Sequence, residues 1–405
     1  MTMSELHVPD GPGIVVSYCF PPYADTAAVV AAKRVREFDR PVRVVSTAMA
    51  KIRKVDPSLA QIAGDLVTEL SIKSTPTAFS SWRSISTFTE AVLDQVEKWL
   101  RDADKSTWMY SRAQFTASNI AAALVKKSEP KLFWIAEFSD PLSHDVKGEK
   151  RSAPVDLDSD VARELLLALE ERGVRVDDPG NVYEVCESLT YALADAVIFT
   201  NTAQRDYMTA ACPDADLRET LLAKAVVSPH PRPPRQLFEL ASSDYELDPD
   251  KVNIGYFGNF YANRGLGEVL TALASAPDDV RDRIRIHVFT PKVDEFRKVV
   301  KSRSLSDVVQ GNGPLPYLEF LALADRMDVL YVNDATTTAG TQLPVNPFLP
   351  SKISDYLGSK ASVWASVEDG SPMSRMDLPY TSPTNHVTGT LLTLTSLARD
   401  GTRAR

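Results

Sequence analysis

Two runs of alternating β-rich and helical segments, broken once by a cluster of prolines, limit this chain to few folds. The first run opens with "GIVVSYCF" (13–20), a compact β-rich stretch, and continues into "DTAAVVAAKRVREF" (25–38), whose alanines and spaced apolar positions predict a helix. "VRVVST" (42–47), "STWMYS" (106–111), "KLFWIAEF" (131–138) and "AVIFTN" (196–201) predict further strands. Between them, "FTEAVLDQVEKWLRDA" (88–103), "FTASNIAAALVKK" (115–127) and "VYEVCESLTYALAD" (182–195) predict helices. Such alternation implies parallel strands with helices on both faces. In "SPHPRPPRQ" (228–236) four prolines, Pro229, Pro231, Pro233 and Pro234, rule out a helix interior and suit an extended linker. A second run follows: "VNIGYFGN" (252–259), "RIRIHVFT" (283–290), "DVVQGNG" (307–313), "DVLYVND" (328–334) and "ASVWAS" (361–366) predict strands, and "LEFLALADRM" (318–327) a helix. The expected fold class is α/β, with two Rossmann-like domains. No tandem repeat or heptad run points to a solenoid or coiled coil.

Size and charge agree. At 405 residues the chain exceeds what one core usually supports, so two domains of about 150 to 230 residues are expected, with room for a ligand cleft between them. A net charge of −9 argues against general nucleic-acid binding, which needs a basic face. The basic clusters "KIRK" (51–54) and "RDRIRIH" (281–287) read first as solvated faces, with a membrane-surface or polyanion patch as the sharper alternative. Cys19, Cys186 and Cys212 are far apart and fit reduced thiols in a cytoplasmic protein. No run approaches the ~20 apolar residues of a membrane span. The five histidines show no ligand spacing, and Asp156, Asp158 and Asp160 precede a helix, where capping explains them, so no metal is expected.

In an open parallel sheet, ligands bind beyond the carboxyl ends of the strands. Three loops there stand out. In "GYFGNFYANRGLGEVLTAL" (255–273), Gly258 would let the backbone turn tightly, and Arg264 would lie beside the positive end of a helix starting near Leu266. That loop is a phosphate site or simply a turn. In "NPFLPSKISDYLGS" (346–359), Ser351 is a competent N-cap, and Lys352 and Asp355 share one helix face. A lysine in a first helical turn is electrostatically misplaced unless an anion lies nearby, and the other reading is a surface ion pair. "GNGPLPYLEF" (311–320) could face a planar base, though a plain connection is the simpler reading.

Taken in order, these segments resemble the carboxyl half of retaining glycosyltransferases of family 4, of the GT-B architecture. There a "P-S-K-x-x-E-Y-L" segment corresponds to "PSKISDYL" here. The amino half is similar too: "SYCFPPYADTAAVVAAKRV" resembles the family's "FPP" loop, and "LFWIAEFSDPL" its "W-x-x-D-x-R-D-P" segment. The resemblance implies an acceptor-side domain over 1–229, a nucleotide-sugar domain over 230–385 and a final helix over 386–405 returning to the first domain. It implies transfer of a hexosyl-type sugar from a nucleotide-diphosphate donor to a hydroxyl on a glycan, glycolipid or small molecule, with retention. Surface polysaccharide, glycolipid or natural-product glycosylation are the settings, in the cytoplasm, with peripheral contact at the inner face of the membrane left open. No tightly bound cofactor is implied.

Position by position, Arg264 and Lys352 would stabilise the leaving diphosphate, with Gly258 and Asn259 near the same phosphates. Leu315, beside Pro314, would face the base, and Ser351 and Asp355 would complete the nucleotide site. Asp355 stands where the family has a longer glutamate. Tyr23, Tyr110, Arg112 and Asp140 fall on the acceptor side. Two departures bear on function: Pro347 occupies the position of a frequent first glutamate, and Tyr23, Ala24, Asp25 and Thr26 replace the glycines after "FPP". Two alternatives accompany this reading, a sugar-nucleotide 2-epimerase and a GT-B-shaped scaffold or partner subunit without catalysis.

Overall fold

The computed structural model describes residues 1–101, 106–260, 264–337 and 343–400. The chain divides into two compact units, Met1–Pro231 and Arg232–Arg405.

The first unit carries β1 (Gly13–Val16), α1 (Thr26–Phe38), β2 (Val42–Thr47), β3 (Val67–Lys73), α2 (Trp82–Arg101), β4 (Trp108–Ala113), α3 (Thr116–Ser128) and β5 (Phe133–Phe138). It continues through α4 (Asp160–Glu170), α5 (Val182–Leu193), β6 (Ala196–Phe199), α6 (Thr202–Ala211), α7 (Ala215–Lys224) and β7 (Ala225–Val227). Its seven strands are ordered β3-β2-β1-β4-β5-β6-β7, every pair parallel. Both faces are covered by helices, so β1, β2, β4 and β6 are buried at every position and show no inside-outside alternation. Gly13 is forced by packing: a Cβ there would lie 2.4 Å from the Trp108 indole. Helix starts follow the local chemistry, with Asp25, Ser159, Asn181, Asn201 and Asp214 each accepting a bond from a first-turn amide. Ser159 thus fills the capping role beside Asp156, Asp158 and Asp160.

The second unit carries β8 (Val252–Phe257), α8 (Gly267–Ala274), α9 (Asp278–Arg281), β9 (Ile284–Phe289), α10 (Val293–Ser302), β10 (Val309–Asn312) and α11 (Tyr317–Ala324). It ends with β11 (Val329–Asn333), α12 (Lys352–Tyr356), β12 (Ser362–Val367), β13 (Tyr380–Pro383) and α13 (Val387–Asp400). The order is β10-β9-β8-β11-β12-β13, again with parallel pairs. Both sheets share one doubly wound order, in which the chain runs outward one way from the first strand and then returns to its other side. That reversal creates a switch point between β8 and β11, the place where such sheets take ligands.

The linker's first prolines belong to the first unit, because the Pro229 carbonyl accepts from Arg34 Nη2 at 3.0 Å and His230 is buried beside Glu137. Within the second unit, α13 sends Leu394, Leu397 and Ala398 into the core, with Val280 of α9 and Leu270 of α8. Residues 401–405 lie outside the described set.

Candidate functional site

The register between β8 and β11 ends at Gly255↔Leu330, two residues before β8 itself does. Beyond it, the Phe257 amide donates to the Tyr356 hydroxyl at 3.2 Å, which ties α12 to the carboxyl end of β8. The Gly258 amide donates to the Phe289 carbonyl at 3.0 Å, and Tyr256 donates to the Asn259 carbonyl at 3.1 Å, leaving the Asn259 residue exposed. The expected reason for Gly258 is corrected here: its φ is not left-handed, and a Cβ would make only ordinary contact, 3.4 Å from the Tyr256 hydroxyl. Arg264 follows, half-buried, ahead of α8. Asn333 Nδ2 donates to the Gly265 carbonyl at 2.9 Å, so the arginine's chain segment is fastened to the end of β11. Arg264 Nε is buried and has no hydrogen-bond partner among the described residues.

Lys352 and Asp355 form the i,i+3 ion pair that was one of the two readings, with the lysine partly exposed and the aspartate buried. Since α12 is only five residues, its dipole is small and the expected misfit of a first-turn lysine loses force. The ammonium sits 3.8 Å from the centroid of the Phe320 ring and 3.7 Å from Asp355 Oδ2. Asp355 is 5% exposed, and its Oδ1 accepts the Tyr317 hydroxyl at 2.8 Å. Burial, then the Asp355 charge, raises the Tyr317 hydroxyl well above the usual phenol range, so it stays a donor. Phe320 packs on Phe257 at 4.8 Å, and Phe257 stacks on Phe289 at 4.6 Å, so one aromatic cluster carries Lys352 to the end of β8. Ser351 departs from expectation: its backbone is helical rather than extended, as a cap requires, and its side chain caps nothing, while its carbonyl accepts the Ser354 hydroxyl at 2.8 Å. Leu315 is half-buried in the loop between β10 and α11.

The sequence reading missed the most unusual group at this edge. Asp334, next after β11, is 1% exposed. Its Oδ2 accepts from the Glu368 amide at 2.9 Å and the Ser371 hydroxyl at 2.6 Å, while Oδ1 is buried without a hydrogen-bond partner among the described residues. Burial pushes its carboxyl up to about 6, against the pull of those two donors and of the Arg264 charge. Beside it, buried Glu368 accepts from the Thr337 amide, the Thr337 hydroxyl and Asn346 Nδ2, at 2.9, 2.7 and 2.9 Å. A carboxylate one step beyond a strand at the switch point was the available signal, and "DVLYVND" displays it.

In the first unit, Tyr23 is 5% exposed and follows the cis Pro21–Pro22 bond. Tyr110 and Arg112, expected on the acceptor side, are turned inward: Tyr110 is fully buried and donates to Glu137 Oε2 at 2.9 Å, while Arg112 Nε donates to Oε1 at 3.2 Å. Arg34 Nε also donates to Oε2, at 2.8 Å. Burial alone would raise the Glu137 carboxyl, but Arg34, His230 and Arg112 together hold it well below the usual carboxylate range. Asp140 is half-buried in the loop after β5. Among the described residues no group of three or more His, Cys, Asp or Glu could hold a metal ion, and no helix is long and apolar enough to cross a membrane.

No family model matches the chain, and no curated protein matches its sequence. Solved structures match in fold. HepE of Anabaena, in complex with UDP, aligns with a TM-score of 0.59 at 13% identity, over 98% of this chain and 91% of that one. Sucrose-phosphate synthase of Thermosynechococcus elongatus aligns with a TM-score of 0.57 at 14% identity, over 98% and 92%. A UDP-N-acetylglucosamine 2-epimerase aligns with a TM-score of 0.50 at 13% identity, over 96% and 87%. The shared fold is GT-B, two doubly wound parallel sheets in one chain.

Proposed function

We propose that this protein is a glycosyltransferase that moves a sugar from a nucleotide-diphosphate donor to a hydroxyl acceptor with retention. The observation that carries the reading is Arg264: a guanidinium at the switch point of the second sheet, its Nε buried and unmatched among the described residues. A diphosphate supplies acceptors for the two outer nitrogens of such a guanidinium. Lys352 brings a second positive charge to the same sheet edge through the Phe320–Phe257 contact. As the bond from the sugar C1 to the diphosphate oxygen breaks, both charges stabilise the leaving group, and the acceptor oxygen bonds to C1 on the same face. The acceptor's proton passes to a donor phosphate oxygen, so no protein nucleophile is needed. Asp355, already accepting the Tyr317 hydroxyl, keeps one oxygen toward Lys352 and with Ser351 and Leu315 lines the nucleotide side. Gly258 and Asn259 sit by the phosphates, and Tyr23 and Asp140 face the acceptor. The fold shared with a UDP-bound HepE supports the reading.

A sugar-nucleotide 2-epimerase is the second reading, favoured by Asp334 and Glu368, two buried carboxylates near the same edge that could exchange protons with a sugar. Thermal unfolding against a panel of UDP-, GDP-, ADP- and dTDP-sugars separates the possibilities. At least one nucleotide is expected to raise the melting temperature by several degrees through preferential binding to the folded state. Indifference to every nucleotide would sink both enzyme readings, and epimer formation without acceptor would select the second.

A further inference from the structure

Two buried polar atoms of opposite kind lie unmatched on neighbouring segments of the second unit: the donor Nε of Arg264 and the acceptor Oδ1 of Asp334. Their backbones are fastened side by side, because Asn333, the residue before Asp334, holds the carbonyl of Gly265, the residue after Arg264, at 2.9 Å. Asp334 itself has little freedom. The Glu368 amide and the Ser371 hydroxyl both hold Oδ2, which fixes the plane of the carboxylate and leaves Oδ1 pointing away from them. Folded proteins rarely leave a buried carboxylate oxygen unpaired without a use for it. Among the described residues, the charged groups acting on Asp334 are Arg264 from the segment ahead of α8 and Glu368 from beyond β12, with Glu268 of α8 bound to the Ser366 hydroxyl of β12. Arg264 is the cation among them.

We propose that Asp334 is a positioning residue for Arg264: its free oxygen receives the Nε–H, orienting the guanidinium so that both Nη groups face the donor diphosphate. The inference rests on the assignment of Arg264 to a nucleotide-diphosphate site. A guanidinium held at Nε by one carboxylate presents its far edge as a two-pronged fork, the geometry that suits two phosphate oxygens. An arginine without that support would reach the same oxygens only after losing rotamer freedom on binding.

Titration calorimetry with UDP, which has no sugar, tests this in wild type, D334N, R264A and the double variant. Asp334→Asn is expected to weaken UDP by about tenfold, and to have less than about a twofold effect once Arg264 is already alanine, since the two side chains act as one unit. Equal loss in both backgrounds, or tighter UDP binding to D334N, would overturn the proposal; the second result would mark the carboxylate as a mere repelling charge. Ser371→Ala, which removes one of the two bonds aiming the carboxylate, should show the same dependence on Arg264 more weakly. Acidity gives an independent readout with UDP-glucose, whose phosphates do not titrate in this range. Wild-type affinity should fall as pH drops through about 6, where Asp334 gains its proton, and D334N should be flat. A flat wild-type profile counts against the idea. The sign for stability is opposite. An acid whose pKa is raised by folding destabilises the fold as pH rises through that value, so D334N should melt higher than wild type at pH 7.5. Wild type that binds neither UDP nor GDP would remove the diphosphate assignment, and this inference with it.

Discussion

Arg264→Ala is expected to lower turnover with the correct nucleotide-sugar by about a hundred- to a thousandfold, the usual consequence of deleting one preorganised contact to a developing charge. The fold should survive, because the Nε gives up no protein hydrogen bond among the described residues. Most of the loss should fall on kcat: leaving-group charge grows only as the glycosidic bond breaks, so a contact tuned to it is strongest in the transition state. Lys352→Ala should act in the same direction with a smaller loss. Its ammonium already shares a cation–π contact with Phe320 and a 3.7 Å approach to Asp355, so part of its charge is balanced before any donor arrives. Steady-state rates with the donor found by thermal shift, together with circular dichroism of each variant, check this. Unchanged kcat/KM in both variants would refute the diphosphate assignment.

The parts of this molecule that were legible beforehand share a physical character. "VRVVST" coincides with β2 and "DTAAVVAAKRVREF" with α1 and its Asp25 cap, because buried parallel strands and capped helices write local, contiguous signals. The strands not foreseen are edge strands: β3, mostly exposed, β7 at three residues, and β13 at four. β3 is too exposed, and β7 and β13 are too short, to leave a long run of apolar residues. The same division holds at the site. Arg264 and Lys352 could be singled out because a cation after a strand or ahead of a helix is a local pattern. Asp334's orphaned oxygen and the inward turn of Tyr110 and Arg112 depend on partners far along the chain, and no local spacing reports them. Ser351 shows the converse failure. A residue with the right chemistry for a cap went unused, since its backbone is itself helical and a cap needs an extended one.

Glu137→Gln should have the largest effect on stability, about 3 to 5 kcal/mol, although Glu137 lies at no proposed substrate contact. The substitution keeps the shape and removes the charge, leaving Arg34 and Arg112, both almost wholly buried, without their shared anion. Gln also presents an amide donor to groups that are already donors, so the Tyr110 hydroxyl or a guanidinium N–H must lose its acceptor. Glu37→Gln is the control. Glu37 also contacts Arg34, but its side chain is 38% exposed, so water replaces what is lost and the change should stay below about 1 kcal/mol. The contribution has a definite pH window. Because folding depresses the Glu137 pKa, its stabilisation is complete above the unfolded carboxylate value near 4.5 and drains away as pH falls below it. Urea midpoints of wild type and E137Q should therefore differ by a constant amount from pH 8 to 5 and converge in more acid solution. A difference under about 1 kcal/mol at pH 7 would mean that the ion cluster is dispensable to the fold. A large one would identify Glu137 as the tie among β4, β5, α1 and Ser228–Pro229, since Arg34 passes its hold on the carboxylate to Ser228 Oγ at 2.9 Å and the Pro229 carbonyl at 3.0 Å. The proline segment would then leave the first unit from a fixed point, held by a side chain contributed by α1.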